Sequence, residues 1–252
     1  MFEKQNSLFG IVGGMGPAAT VYLQQLIVES IKVKNDQEHL PFLLFMNPQI
    51  SSRQESNKHY LHDLITSINM LERAGATHIV FACYSAYIGV HRIKCQMRAK
   101  LIEVPSLAVE WISNNIPKQP IGILASPSVL KHRLFQNPLE SLGFTVIHPS
   151  LEIQKKCVEK SIYDPYSGIK SGCKEEPKRM ITKAIKHLES RGVSKILFGC
   201  TDLPVVYSTD SDKIIDPLRI LVEHISNLYR ETKNIEKQLT NIYGNTEVST
   251  YE

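Results

Sequence analysis

The amino-acid sequence predicts an α/β fold of two similar halves, each built on a parallel central sheet, with the functional cleft between them. Two observations support this prediction. Short apolar runs alternate with amphipathic stretches along most of the chain, a pattern typical of strand–helix–strand units in which helices cover both faces of a sheet. A segment of the first half also recurs, without gaps, in the second half.

The first half is expected to contain three strands and two helices. The strands are predicted at 8–13, 41–47 and 77–83, and the helices at 19–32 and 60–75. Gly75 follows the apolar periodicity of the second helix directly, which is typical of a helix C-terminus.

The second half shows the same alternation. Strands are predicted at 121–126, 144–149 and 195–200, with a helix at 175–191. The predicted domains are 8–106 plus 213–232 for the first half and 107–212 for the second. Residues 233–252 lose hydrophobic periodicity and are predicted to form a partly ordered tail.

The internal repeat places two cysteines at equivalent positions. LERAGATHIVFAC (71–83) aligns with LESRGVSKILFGC (188–200), and GIVGGMG (10–16) corresponds to GILASPS (122–128). Each half therefore has a cysteine just beyond the carboxyl end of a central strand, where open α/β sheets bind ligands. We expect Cys83 and Cys200 to face one another across a single cleft.

Two thiols across a cleft are suited to inverting a stereocentre. One thiolate removes a proton from carbon while the opposite thiol delivers a proton to the other face. A helix N-terminus and backbone N–H groups after each strand favour the thiolate form. For Cys95, Cys157 and Cys173, which lack this equivalence, the structural interpretation as ordinary thiols is preferred.

Composition excludes several classes of protein. The 252 residues carry a net charge of +4, with 42% hydrophobic and 21% charged residues, as in ordinary globular proteins. Basic and acidic residues are interspersed, so no nucleic-acid-binding stripe is expected. Neither a membrane span nor a signal-peptide core is found, which predicts a soluble cytoplasmic protein without membrane partners. Five cysteines without a CxxC pair argue against disulfides and zinc.

Several segments together resemble the aspartate/glutamate racemase superfamily, nearest its aspartate racemase branch. They are GIVGGMGP, DQEH (36–39), MNPQI with Arg53 just after it, FAC, FGCTDLP and IDP (215–217), in order from about residue 8 to residue 230. The resemblance implies a racemase that needs no cofactor, uses paired cysteines as acid and base, and folds as two pseudo-symmetric α/β domains, often as a homodimer.

The resemblance also implies roles for individual residues. Cys83 and Cys200 match the catalytic cysteines, and Arg53 and Lys170 match basic positions that hold the distal carboxylate of an acidic amino acid. From sequence alone, Arg53 and Lys170 can also be solvated surface cations, and for Lys170, which lies in a polar loop, that interpretation is preferred. The other predicted substrate-binding residues are Met15, Asn47, Tyr84, Ser85, Ser126 and Thr201.

The sequence departs from the superfamily pattern next to the first cysteine. Members of the superfamily typically have Asn-Thr-Ala-His there, whereas this chain has Tyr84-Ser85-Ala86-Tyr87. Tyr84 replaces an amide with a bulky ring near the chemistry, and Tyr87 replaces a group that could titrate or organise the turn. Asp202 shortens the glutamate of the commoner GCTE motif by one methylene. Either the pocket is reshaped for another substrate or activity is weakened; we hypothesise the former.

Alternative functions remain on this scaffold. A maleate isomerase or hydantoin racemase would also place cysteines at these strand ends, and a catalytically weakened amino-acid-binding protein would retain the cleft. An arylmalonate decarboxylase is disfavoured because it needs only one thiol. The GMGPAA turn (14–19) formally matches a dinucleotide-binding fingerprint, but the second strand lacks the expected acidic end. His59 and His62 have no third metal ligand nearby, so no metal is expected.

Overall fold

The computed structural model describes residues 7–51, 59–207 and 212–243, the last ten by their backbone alone. It contains two four-stranded parallel sheets flanked by helices, which confirms the predicted α/β class. The strands are β1 (Phe9–Gly13), β2 (Phe42–Met46), β3 (His78–Phe81), β4 (Lys100–Leu101), β5 (Ile121–Ala125), β6 (Val146–Ile147), β7 (Lys195–Gly199) and β8 (Ile214–Ile215).

Helices cover the sheets and join the halves. They are α1 (Pro17–Ser30), α2 (His59–Arg73), α3 (Val104–Asn115), α4 (Pro127–Lys131), α5 (Gln136–Ser141), α6 (Leu151–Ile153), α7 (Lys160–Tyr163), α8 (Glu175–Glu189) and α9 (Pro217–Tyr243). A π-helical turn, Gln154–Glu159, connects α6 to α7. Between the described residues, α9 packs against both α1 and α3, so the C-terminal helix returns to the first half.

The two sheets have the same topology. Their strand orders are β2-β1-β3-β4 and β6-β5-β7-β8, and every pairing is parallel. The central strands pair β1 with β3 and β5 with β7, so Cys83 and Cys200 follow corresponding strands. The internal repeat of the sequence therefore corresponds to one sheet topology that occurs twice.

Close packing explains why the repeat keeps its glycines and apolar residues. A β-carbon on Gly10 would lie 2.8 Å from Ile79 and 3.2 Å from Leu71, and one on Gly122 would lie 2.8 Å from Leu188. Each central strand therefore needs a glycine where the helix before the next strand crosses it. The repeated leucine in that helix packs in the space that the glycine leaves.

The core is continuous between the two halves. The larger buried cluster extends from the first sheet to Ile123 and Leu197 of the second sheet, whereas Leu124 and Phe198 point into a smaller cluster on the opposite face. This alternation is the side-chain period of a strand that is buried on both faces. The halves therefore share apolar contacts as well as the cleft.

Several elements differ from the sequence prediction. The strand expected at 144–149 contains only Val146–Ile147, and β8 pairs with β7 in the second sheet although 213–232 was assigned to the first domain. Helix α3 crosses the predicted boundary between residues 106 and 107. The backbone of α9 stays helical to Tyr243, inside the segment predicted as a tail. Short paired strands and a long amphipathic helix form through tertiary contacts that local periodicity does not show.

A helix that crosses a bilayer needs about 20 predominantly apolar residues. Within 7–51, 59–207 and 212–243, no helix is both long and apolar enough to cross a membrane.

Candidate active site

The two equivalent cysteines line one small cavity at the carboxyl ends of the central strands. Cys83 follows β3 and Cys200 follows β7, and both are buried. The cavity is narrow, with a volume of about 10 Å³, roughly the space of one water molecule. It is lined by Met15, Cys83, Tyr84, Ser85, Ser126, Val129, Tyr163, Lys170, Gly199, Cys200, Thr201 and Asp202.

A polar side chain lies two residues after each thiol. Cys83 Sγ is 3.2 Å from Ser85 Oγ, and Cys200 Sγ is 3.9 Å from Asp202 Oδ2. Ser85 and Asp202 occupy equivalent positions of the repeat. The same turn after the same strand therefore gives one thiol a neutral hydroxyl and the other a carboxylate.

The environment of Cys200 favours its protonated form. Burial raises the pKa of the Cys200 thiol well above its usual range, and the Asp202 carboxylate adds to the rise. The Lys170 ammonium opposes it and lies 3.1 Å from Asp202 Oδ2. Cys200 is therefore in the thiol form at neutral pH, in contrast to the thiolate form expected from the sequence.

Lys170 belongs to the cavity and is not a fully solvated cation. Its side chain is 32% exposed, and its ammonium forms the ion pair with Asp202 while lying 5.8 Å from the centre of the Tyr163 ring. The loop that follows α7 carries Lys170 to the second thiol. The sequence could not show this contact because Lys170 and Asp202 are far apart in the chain.

Three contacts close the cavity between the halves. Thr201 Oγ1 donates a hydrogen bond to the carbonyl of Ala82 at 3.2 Å. Tyr84 packs edge-on against Phe135 with ring centroids 5.5 Å apart. A β-carbon on Gly16 would lie only 2.4 Å from Asp202 Oδ1, so the glycine-rich turn before α1 lets the second half approach.

Tyr84 forms part of the wall of this cavity. Its side chain is fully buried, and its hydroxyl has no hydrogen-bond partner among the described residues. Burial raises the pKa of Tyr84 well above its ordinary value, so the phenol stays protonated. The bulky ring expected from the sequence therefore lies in the wall of the cavity and contacts Phe135 of the other half.

The Tyr87 hydroxyl links two segments of the backbone. The Phe81 N–H donates to the Tyr87 hydroxyl at 3.0 Å, and that hydroxyl donates to the Ile102 carbonyl at 3.0 Å. The phenol thus bridges β3 and the segment after β4, just where direct pairing of the strands ends. Tyr87 therefore organises the turn after β3, a role that the histidine of the superfamily pattern could have filled.

Of the other residues predicted to bind substrate, two line the cavity, one does not, and one lies outside the described residues. Met15 and Ser126 line the cavity. Asn47 is not among the lining residues, and its side-chain amide donates to Ser67 at 3.2 Å while its oxygen accepts the Gln49 N–H at 3.0 Å. Arg53 lies outside the described residues. Asn47 therefore shapes the turn after β2 in this structure.

Sequence reasoning missed Asp202 and Tyr163 as site residues. The signal for Asp202 was its position two residues after Cys200, matching that of Ser85 after Cys83. Tyr163 is the last residue of the four-residue helix α7, and no sequence pattern distinguishes it. The Tyr163 side chain is 46% exposed but lines the cavity, where partial burial, followed by the negative charge of either cysteine in its thiolate form, raises the pKa of its phenol.

The glycine-rich turn does not present an empty phosphate site. Gly14 has φ +94°, and its Cα packs against the Asn47 backbone, while the Asp202 carboxylate lies over Gly16 at the N-terminus of α1. A protein carboxylate already occupies the place where a dinucleotide fold binds pyrophosphate. The described part of the chain also contains no cluster of three or more His, Cys, Asp or Glu residues suited to hold a metal ion.

Comparison with known proteins agrees with this architecture. Residues 12–225 match the family described as Asp/Glu/Hydantoin racemase. Aspartate racemase from Picrophilus torridus superimposes with a TM-score of 0.75 at 20% identity, covering 89% of this chain and 94% of that one. An aspartate racemase homologue from Pyrococcus horikoshii OT3 gives a TM-score of 0.71 at 19% identity, covering 89% and 99%. Glutamate racemase RacE1 from Bacillus anthracis gives 0.63 at 13% identity, covering 90% and 82%.

Proposed function

The chain belongs to the Asp/Glu/hydantoin racemase family, and we propose that it racemises an amino acid by proton transfer between Cys83 and Cys200. The observation that carries this proposal is the placement of two buried thiols, at equivalent strand ends, on one cavity. The proposal classes the protein as an isomerase that needs neither pyridoxal phosphate nor a metal.

In one direction of the reaction Cys83 is the base and Cys200 the acid. The Cys83 thiolate takes the Cα proton, and the electron pair left on carbon is delocalised into the substrate carboxyl group. The Cys200 thiol, kept protonated by its burial, delivers its proton to the opposite face of Cα. Cys83 ends as the thiol and Cys200 as the thiolate, ready for the reverse direction. Ser85, whose Oγ is 3.2 Å from Cys83 Sγ, is proposed to donate a hydrogen bond to the thiolate.

The proposed substrate is an acidic amino acid, aspartate before glutamate. Lys170 lies at the cavity and supplies a cation for a distal carboxylate. Arg53 is proposed as the second cation from its sequence position, and its contribution stays a prediction. Thr201, Ser126, Met15 and Tyr84 are proposed to shape the pocket around the substrate. The homodimer likewise stays a prediction, for which sedimentation equilibrium gives the mass.

A hydantoin racemase is the second candidate because the family description includes that activity. The fold does not separate the two substrates, since the same strand ends would hold both thiols. The charged pair Lys170 and Asp202 favours a charged substrate over the neutral hydantoin ring.

Proton NMR in deuterated buffer tests the proposed reaction. Loss of the Cα–H signal reports proton abstraction whichever enantiomer results, and aspartate, glutamate, other amino acids and 5-substituted hydantoins are compared. We expect exchange with aspartate, and Cys83→Ala or Cys200→Ala should each slow racemisation by a factor on the order of 10² to 10⁴ or more.

Cys157→Ala is the matched control, because Cys157 is also a buried thiol but lies away from the cavity. This variant should keep wild-type turnover, and all three variants should keep the wild-type circular dichroism spectrum. If neither thiol substitution lowers exchange by a folded protein, the two-thiol mechanism is wrong. Exchange of hydantoins alone would replace the amino acid as substrate.

A further inference from the structure

Asp202 is a buried carboxylate with one oxygen unused. The residue is 3% exposed, and its Oδ2 pairs with Lys170 Nζ at 3.1 Å and lies 3.9 Å from Cys200 Sγ. Its Oδ1 is buried and has no hydrogen-bond partner among the described residues. Leaving a buried acceptor of this kind unpaired costs about 1–3 kcal/mol, and more when the group is charged.

The surroundings of Asp202 present positive charge to its carboxylate. The Lys170 ammonium contacts Oδ2 of Asp202 directly. Oδ1 lies close to Gly16, which is the N-cap residue of α1, so it is next to the N-terminus of that helix. A helix N-terminus and an ammonium both stabilise a negative charge. Lys170 satisfies only one of the two oxygens, so the site retains the capacity to accept a hydrogen bond from a second cation.

We propose that Asp202 binds the α-ammonium group of the substrate through Oδ1 and thereby restricts the site to compounds with a free amino group. This inference rests on the proposed racemase function. An atom that reacts with Cys200 lies about 3–3.5 Å from Sγ. The amino nitrogen is one bond from that carbon, and an N–H···O contact spans about 2.7–3.2 Å. The Asp202 carboxylate, whose other oxygen Oδ2 is 3.9 Å from Sγ, lies within this combined reach.

The charges of the cavity are complementary to those of an amino acid. The described cavity presents one carboxylate, Asp202, and one ammonium, Lys170, so an amino acid can place its ammonium on the first and a carboxylate on the second. A 2-hydroxy acid, an N-acylated amino acid or a hydantoin brings no cation to Asp202, and the buried acceptor would stay without a charged donor.

The test compares aspartate with malate, which has a hydroxyl in place of the ammonium and the same two carboxylates. Dissociation constants are measured by calorimetry for wild type, Asp202→Asn and Lys170→Met. We expect wild type to bind aspartate at least about tenfold more tightly than malate, in line with the loss of one charged hydrogen bond. Asp202→Asn should reduce this ratio to within about threefold. If a different amino acid is the one exchanged, its 2-hydroxy analogue replaces malate.

Lys170→Met is the matched control because it also breaks the Lys170–Asp202 ion pair. It should weaken aspartate and malate alike and leave their ratio unchanged, and Asp202→Glu should retain most of the preference. An unchanged ratio in folded Asp202→Asn would overturn the assignment while the racemase function stands. Failure of wild type to exchange the Cα proton of any amino acid would instead remove the proposed function itself.

Discussion

Single residues near the thiols differ in whether their polar atoms are satisfied. The hydroxyls of Tyr87 and Thr201 have backbone partners, whereas the Tyr84 hydroxyl and Asp202 Oδ1 have none among the described residues. Satisfied buried polar groups stabilise a fold, and an unsatisfied one calls for an explanation, such as a ligand that supplies the missing bond. The orphaned atoms of Tyr84 and Asp202 both belong to residues that line the cavity.

Asp216 shows how burial raises the pKa of a carboxyl group. It follows β8 and is 4% exposed; the Tyr22 hydroxyl donates to its Oδ2 at 2.8 Å, and the Leu218 N–H donates to its Oδ1 at 3.0 Å. Burial raises the pKa of Asp216 to about 6 despite these bonds. The folded protein therefore binds this proton more tightly than the unfolded chain does.

We predict that Asp216 makes the folded state less stable as pH rises from about 4 to 6. In that interval the unfolded chain has lost the proton while the folded protein retains it, so each pH step upward favours unfolding. The full effect is about 2–3 kcal/mol, from roughly two pKa units. Urea unfolding of wild type and Asp216→Asn across this range measures it, and the stability of wild type relative to the variant should fall. A difference independent of pH would contradict the raised pKa.

At the scale of elements, the turn after β3 is held by a side chain where the strand ladder ends. The pairing of β3 with β4 covers two residue pairs, and the Tyr87 hydroxyl then links the Phe81 N–H to the Ile102 carbonyl. The short 3₁₀ helix Tyr84–Tyr87 therefore fixes the turn that follows Cys83 and also links β3 to the segment after β4.

Tyr87→Phe should destabilise the protein by about 2–3 kcal/mol, because two buried backbone groups lose their partner. Tyr84→Phe is the matched comparison, since it removes an equally buried hydroxyl that has no partner among the described residues. That variant should lie within about 0.5 kcal/mol of wild type or be more stable. Chemical denaturation measures both, and equal losses in the two variants would show that the distinction between the two phenols is wrong.

For the whole molecule, two copies of one sheet topology meet at a single site. The shared core and the Thr201–Ala82 hydrogen bond hold the halves together, and Gly16 sets how closely they approach. Neither half holds both thiols, so the proposed chemistry depends on the relative position of the halves. A displacement of about 1 Å between reacting groups is enough to slow an enzyme severely.

Gly16→Ala tests this dependence at the contact between the halves. The new β-carbon would lie 2.4 Å from Asp202 Oδ1 and 3.2 Å from Lys170 Nζ, so the carboxylate must shift. We expect a loss of about 1–3 kcal/mol in the free energy of unfolding, together with a lower rate of Cα–H exchange. The double variant Gly16→Ala/Asp202→Ala should lose less stability than the sum of the two single variants, because the clash is absent. Strict additivity would show that the close approach has no energetic effect.

The sequence by itself determined the class of fold and the positions of both thiols. Hydrophobic periodicity located the central strands, and the repeat of Leu71 to Cys83 as Leu188 to Cys200 required the same unit twice. These features are local, since each depends on the alternation of neighbouring side chains and on glycine where a helix crosses a strand.

Only the tertiary structure decided what surrounds the thiols. Gly16, Lys170 and Asp202 come from three distant segments, and their contact depends on how the halves pack. The same holds for Tyr84 against Phe135 and for Tyr87 between β3 and β4, where the sequence showed only two unexpected tyrosines. Ion pairs and buried hydroxyls of this kind leave no periodic trace in a chain, because their partners are set by long-range packing and not by neighbouring residues.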